Sequence, residues 1–286
     1  MALRETTDVT IRPLSAALGA EILGIDLSRP IDEATFATIH RLFLDHSLIL
    51  LRDQHFSPEQ HIAFSRRFGD LAIHVFDQFL LPGHPEILRV SNKRKNGALI
   101  GLADAGKYWH SDLAYMKRPS LGSILYSLEI PPEGGNTLFA NMIRAYDTLS
   151  HDMKARLEGL TAVNRVAEGR RTSADGRIRM SKAQLAKTPD VVHPVIRTHP
   201  ETGRKSLYVS QSHTDRIVGM DEDGGRALIR ELVAHATQPD NIYAHRWRPH
   251  DVLMWDNRCT MHRVSPYDRR CRRHMHRTTI DGDVPV

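Results

Sequence analysis

The sequence predicts a mostly β fold with flanking helices, a jelly-roll barrel carrying helical additions. Many short β-prone runs, bounded by Gly and Pro, are spread over the whole chain. Fewer segments show the 3.6-residue periodicity of helices that lie on a sheet. The 286 residues can bury a sizeable core, and no internal repeat or Pro- or Ser-rich linker divides them. One domain, 1–286, is expected.

Taken in order, residues 9–11 and 20–25 read as opening strands on either side of Gly19. Residues 32–46 place Phe36, Ile39, Leu42 and Phe43 on one helical face, and 47–51 is a buried strand. Ser57-Pro58-Glu59-Gln60 is a capping box with Pro at the first helical position. That helix is expected to stop at Phe68-Gly69, glycine suiting a left-handed C-cap. Residues 86–90 are a strand, 92–106 a loop over the site, and 107–115 a strand halted by Pro119. Residues 123–130 and 137–140 are strands split by Pro131-Pro132-Glu133-Gly134-Gly135, then 142–160 is helical and 161–166 a strand. Residues 168–190 are charged and poor in large apolar groups, which fits a surface loop or a mobile lid over substrate. A hairpin is expected from 191–197 and 206–210 around Pro200-Glu201-Thr202-Gly203. The helix 221–238 turns Leu228, Ile229, Leu232 and Val233 inward, and 242–246, 251–256 and 273–280 are the last strands.

Composition narrows the function. The formal charge is +5, but Lys and Arg are interleaved with Asp and Glu and no aromatic-rich basic motif occurs. The excess points to small organic anions and away from nucleic acid. Cys259 and Cys271 are too few for a disulfide framework, form no CxxC pair, and read as small hydrophobes. Met1 leads into Arg4 and Glu5 without an apolar run, and stretches such as Leu48–Leu51 are far short of a membrane span. A cytoplasmic protein without membrane contact is expected.

The chemistry starts at Tyr108-Trp109-His110-Ser111-Asp112. On a strand His110 and Asp112 at i, i+2 face one side, half of the two-His, one-carboxylate triad that grips a divalent metal and leaves one face open. Among 17 histidines a bare His-x-Asp carries little. The rest of the signal lies downstream, in Trp255-Asp256-Asn257-Arg258-Cys259-Thr260-Met261-His262 and Arg272-Arg273-His274-Met275-His276-Arg277. Arg273, Met275 and Arg277 share one strand face, whereas His274 and His276 lie on the other and suit packing or the surface. Arg272 reads as a solvated edge.

These pieces, with Gly134-Gly135-Asn136-Thr137-Leu138-Phe139-Ala140, resemble the Fe(II)/2-oxoglutarate dioxygenases of the taurine dioxygenase and 2,4-dichlorophenoxyacetate dioxygenase family, in the same order from about Ile11 to Gly282. The resemblance implies a double-stranded β-helix, cupin-like core, with Fe(II) held by His110, Asp112 and His262, and with 2-oxoglutarate and O₂ as cosubstrates. It implies that Thr137 and Arg273 hold the distal carboxylate of 2-oxoglutarate. Arg277 would sit beside its proximal carboxylate and the anionic head of the substrate. The substrate residues it suggests are His74, Leu113, Tyr115, Asp77 and Arg277. His74 matches the sulfonate-binding histidine of the taurine enzymes, while Gly106 and Asp77 stand where those enzymes hold taurine's amine. Asp77 could pair with an ammonium directly, or the pocket could be reshaped for a larger molecule.

Elementary chemistry agrees. Two imidazoles and one carboxylate leave a divalent metal at a formal +1, which a dicarboxylate can neutralise. Its far carboxylate then calls for the planar fork of Arg over Lys. The expected reaction hydroxylates a small sulfonate, sulfate ester or aryloxyalkanoate and releases succinate and CO₂. A homodimer or homotetramer is expected. A non-redox, cupin-like sensor of organic anions or a zinc hydrolase could use the same His/Asp/His set, but neither needs Thr137 and Arg273.

Overall fold

A computed structural model describes residues 9–172 and 178–286. The leading segment with Arg4 and Glu5, and residues 173–177 of the expected lid, lie outside the described residues.

The molecule is mostly sheet with some helices. Its largest sheet runs Thr10–Pro13, Ala20–Leu23, Leu48–Leu51, Val252–Asp256, Ser120–Glu129, His274–Asp281, His84–Ser91, Leu80–Leu81. Its pairs are antiparallel except Ala20–Leu23 with Leu48–Leu51. A second sheet places Thr137–Asn141 between Ile242–His245 and Thr260–Val264.

The period of two along the strands builds the layers. Leu48 and Leu50 join Leu253, Trp255 and Met275 in a core that also holds Phe139 of the second sheet. Ile49 and Leu51, with Val252 and Met254, face the other way and pack on Ile39, Leu42 and Phe43 of the helix Glu33–His46. Beyond the second sheet, Ala140 and Met261 pack against Leu228, Ile229 and Leu232 of the helix Glu222–Ala236. Strands buried on both faces read as continuous apolar runs, which is why Leu48–Leu51 is legible in sequence.

Local signals behave as expected at several ends. Asp32 caps its helix by accepting from Thr35 N at 2.7 Å. The Ser57/Gln60 capping box closes in both directions, at 3.3 and 2.7 Å. That helix is Pro58–Arg66, however, and ends before Gly69, because Arg67 N donates to the carbonyls of Phe64 and Ser65 and tightens the last turn.

Other expectations are corrected. Residues 107–115 are not a strand: His110 makes one isolated bridge with His262, and the chain then turns, with Leu113 left-handed at φ 56°. Thr260–Val264, unforeseen, is the strand that bears His262. The helix expected over 142–160 is two, Met142–Asp147 and His151–Leu157, because Ser150 caps a new start by accepting from Met153 N. The loop 92–106 contains a small hairpin, Arg94–Lys95 with Ala98–Leu99. Of the expected hairpin only Ile196–Thr198 pairs with Lys205–Leu207; Val191–Pro194 pairs instead with Thr161–Asn164. Among the described residues no helix is long and apolar enough to cross a membrane.

Candidate metal centre and active-site cleft

His110, Asp112 and His262 are brought together as a group able to hold a metal ion. The bridge between His110 and His262 does this, with N–H···O bonds of 3.1 and 2.8 Å in the two directions. His110 Nε2 lies 3.8 Å from Asp112 Oδ1, and His262 Nε2 lies 3.8 Å from Asp112 Oδ2. His110 Nδ1 is 2.8 Å from the Tyr108 carbonyl, which can only accept, so Nδ1 carries the proton and the Nε2 lone pair is left for a metal. The turn at Leu113 thus does what a strand would have done, by a different route.

Electrostatics keep these groups in their ligating states. Burial pushes both imidazoles below their usual range, that of His262 strongly and with His110 as a further cause, so both are neutral. Burial alone would raise Asp112, but the Arg277 guanidinium, with the Ser123 hydroxyl, holds its carboxyl well below the usual range. Arg277 Nη1 donates to Asp112 Oδ1 at 2.7 Å and Ser123 Oγ to Oδ2 at 2.7 Å.

His110 and Asp112 open on a narrow cleft with about 70 Å³ of free room, below the ~300–1,000 Å³ common for small-ligand pockets. His74, Leu113, Tyr115, Gly106 and Arg277 line it beside His110 and Asp112. Burial, then Arg277, takes His74 down to about 3, so it is neutral; burial pushes the Tyr115 hydroxyl up to about 12. Gly106 has φ 76°, and a Cβ there would meet Val264 Cγ2 at 2.8 Å. Only glycine lets this loop lie on the His262 strand, where Val264 N bonds the Gly106 carbonyl at 2.7 Å.

Asp77 is placed elsewhere. It is exposed, is not in the cleft lining, and accepts from Gln78 N at 3.0 Å at the start of the turn Asp77–Phe79. Its neighbour Phe76 points inward instead, so the ammonium-pairing role is withdrawn.

His262, Thr137 and Arg273 are buried but are not in that lining. Arg273 is 4% exposed, yet among the described residues its Nε and Nη2 have no hydrogen-bond partner. Burial lowers its guanidinium to about 10. An unpaired buried cation is costly and fits a site awaiting an anion. Thr137 Oγ1 accepts from Trp247 Nε1 at 2.9 Å, leaving its own proton to donate.

Sequence reasoning missed several cleft residues. Arg170 donates to Asp104 Oδ2 at 2.7 Å and lies over the Phe76 ring at 5.2 Å. Ile178 N bonds the same carboxylate oxygen at 2.6 Å, and Met180 is buried in the wall. His213 adds a ring 5.0 Å from Tyr115. None of these carries a local signal; they reach the cleft only through tertiary closure.

A two-histidine, one-carboxylate centre beside a narrow cleft, on a mostly β scaffold, defines a non-haem metal enzyme. Comparison with known proteins narrows this. The sequence matches the family described as "Taurine catabolism dioxygenase TauD, TfdA family" over residues 10–279. It is 35% identical to an (S)-phenoxypropionate/alpha-ketoglutarate-dioxygenase of Sphingobium herbicidovorans, over 96% of this chain and 95% of the relative. It is also 35% identical to an alpha-ketoglutarate-dependent 2,4-dichlorophenoxyacetate dioxygenase of Cupriavidus pinatubonensis, over 97% and 99%. The structure superposes with a TM-score of 0.82 on a taurine dioxygenase from Burkholderia xenovorans, 34% identical, covering 97% of this chain and 91% of that one. The chain belongs to the TauD/TfdA family and is an Fe(II)- and 2-oxoglutarate-dependent dioxygenase, with O₂ as the second cosubstrate. The sensor and zinc-hydrolase alternatives are set aside.

Proposed function

We propose that His110, Asp112 and His262 are the iron ligands, that Arg273 and Thr137 hold the distal carboxylate of 2-oxoglutarate, and that the cleft takes a small organic anion with an apolar body. An aryloxyalkanoate fits this description better than a bare sulfonate such as taurine. The observation that carries the reading is the make-up of the cleft: Arg277 beside the triad, and Phe76, Leu102, Leu113, Tyr115 and Met180 around the remaining space.

When bound, iron with 2-oxoglutarate and O₂ supplies an oxidative decarboxylation to succinate and CO₂ that delivers an oxygen atom to a substrate C–H bond. The chain's own groups set its geometry. Arg277, one nitrogen on Asp112 and its buried Nε unpaired among the described residues, can turn its spare donors to a substrate head group. Neutral His74, with Nδ1 accepting from Phe76 N at 3.2 Å, presents Nε2–H to the same region. The apolar walls exclude water around the reacting carbon. The relatives named for phenoxypropionate and 2,4-dichlorophenoxyacetate support an aryl body, and the withdrawal of Asp77 removes a partner for taurine's amine.

The coarser expectations fit this reading. The two sheets are read as the jelly-roll core of a single domain, with 168–172 and 178–190 as the lid on the outer side of the cleft. Unpaired cysteines favour a reducing cytoplasm, and a homodimer or homotetramer is retained as the proposed assembly.

The test is succinate release and O₂ uptake on a substrate panel. Aryloxyalkanoates are expected to exceed alkyl sulfates and taurine, and a neutral amide isostere to fall by roughly 10²-fold or more, because it leaves buried donors unpaired. Equal turnover of the neutral isostere, or taurine as clearly the best substrate, would overturn the reading.

A further inference from the structure

The loop after Val252–Asp256 carries Asn257, which is fully buried. Its Oδ1 lies 3.1 Å from Asp112 N and 3.0 Å from Trp255 Nε1, two groups that can only donate. That fixes the amide orientation, so Nδ2 is the end that faces Ser120 Oγ at 2.9 Å and Ser123 Oγ at 3.4 Å. Ser120 donates onward to the Gly122 carbonyl at 3.0 Å, and Ser123 to Asp112 Oδ2 at 2.7 Å. The hydroxyl protons therefore have one consistent direction. A chain of donors starts at Asn257 Nδ2, passes through Ser123 and ends on the carboxylate, while the other end of the same amide grips the Asp112 backbone. Asn257 N is itself tied to the Leu121 carbonyl at 2.9 Å, so the amide is anchored to the strand Ser120–Glu129.

The geometry points to Asn257 and Ser123 as positioning residues for the metal: they hold Asp112 by both its main chain and its carboxylate, in the one orientation that faces His110 and His262. This rests on the reading of Asp112 as a ligand. Asp112 needs such support because it sits in a turn beside a left-handed Leu113 and has no ladder of strand hydrogen bonds to fix it. Groups that orient a ligand without touching the metal are worth roughly 10–100-fold in metal affinity.

The test uses the full-length, metal-free enzyme and Mn(II) titration calorimetry without 2-oxoglutarate, with the Co(II) absorption spectrum as a second readout. Ser123→Ala and the near-isosteric Asn257→Leu are expected to weaken Mn(II) by roughly 10–100-fold and to shift the Co(II) bands. Ser127→Ala is the control: it removes an equally buried hydroxyl from the same strand, one bonded to the Arg248 carbonyl at 2.6 Å, and should leave Mn(II) affinity as in wild type. Loss of metal in Asp112→Ala together with wild-type affinity in folded Ser123→Ala would overturn the inference and leave the triad standing. Wild-type affinity in Asp112→Ala would overturn the triad itself. Should Asn257→Leu not fold, Ser123→Ala against Ser127→Ala decides alone.

Discussion

Two buried His–Asp groups border the run from Trp255 to His262, and they differ in what their charges lack. In one, His199 Nε2 lies 3.0 Å from Asp256 Oδ2, with Cys259 close enough to complete a metal-sized cluster. There Arg258 bonds Asp256 through Nε and Nη2, down to 2.6 Å, and Glu201 through Nη1 at 2.6 Å. His199 Nδ1 accepts from the backbone of Glu201 and Thr202, so Nε2 bears the proton and donates to Asp256. Burial, then Asp256, raises the Cys259 thiol, which stays protonated and 3.3 Å from Ser47 Oγ. Every strong donor or acceptor in this group has its partner within the chain. In the other, His110 and His262 each bring Nε2 to 3.8 Å from Asp112, and among the described residues His262 Nδ1 and the Nε and Nη2 of buried Arg273 have no hydrogen-bond partner. Residue type and burial are alike; the first group is complete within the chain, and the second, on the reading proposed above, is built around what must arrive.

Substitutions can break this contrast. The largest effect is expected at Asp112: Asp112→Ala should abolish Fe(II) binding and turnover while the fold stays intact, because a neutral side chain leaves two imidazoles to hold the ion. His110→Ala and His262→Ala should do the same. Circular dichroism and metal titration check this, and near-normal metal affinity in Asp112→Ala would erase the distinction. Arg258→Met should act in the opposite way. Removing the cation leaves Asp256 buried without its countercharge, a loss of roughly 3–5 kcal/mol in stability, with Mn(II) affinity unchanged in whatever protein folds. Denaturant unfolding measures it.

Arg273→Lys sharpens the comparison at the cosubstrate. The charge stays but the fork is lost, and 2-oxoglutarate should bind roughly 1–3 kcal/mol more weakly, with a smaller loss for Thr137→Val. The apparent KM for 2-oxoglutarate reports it; an unchanged value in Arg273→Lys would remove Arg273 from that role.

What was legible in the sequence follows from locality. Leu48–Leu51, the helix Glu33–His46 and the capping box at Ser57 need only near neighbours, and they read correctly. That His110 and Asp112 converge was expected, but by a strand argument that the chain does not obey: a bridge at His110 and a turn at Leu113 give the same convergence. The strand Thr260–Val264 was missed because it begins straight after the polar Asp256–Cys259 turn and follows the preceding strand without a Gly or Pro break. Asp104, the Arg170–Met180 segment and His213 are separated along the chain by 33 residues or more and meet only when the cleft wall closes. Asp77 failed for a smaller reason: one step along an irregular segment exchanged it with Phe76.

The last effect is silent at neutral pH and concerns a third group of histidines, on the outer side of the C-terminal strand. His61 is fully buried, its Nε2 3.2 Å from Thr278 Oγ1, and burial takes it to about 3; His274 and His276 fall to about 4, again chiefly through burial. All three are neutral in the folded protein, whereas in the unfolded chain they titrate near 6.5. Below pH 6.5 the unfolded state therefore binds more protons than the folded one, and stability rises with pH across this window. It is full above about 6.5 and is lost as pH falls toward 4, by at most about 1.4 kcal/mol per pH unit for His61. Melting temperatures of the metal-free protein at pH 7, 6, 5 and 4 should fall in that order. His61→Gln, which cannot titrate, should flatten the profile even if it lowers the plateau, and an equally steep decline in that variant would show that His61 takes no part in the loss.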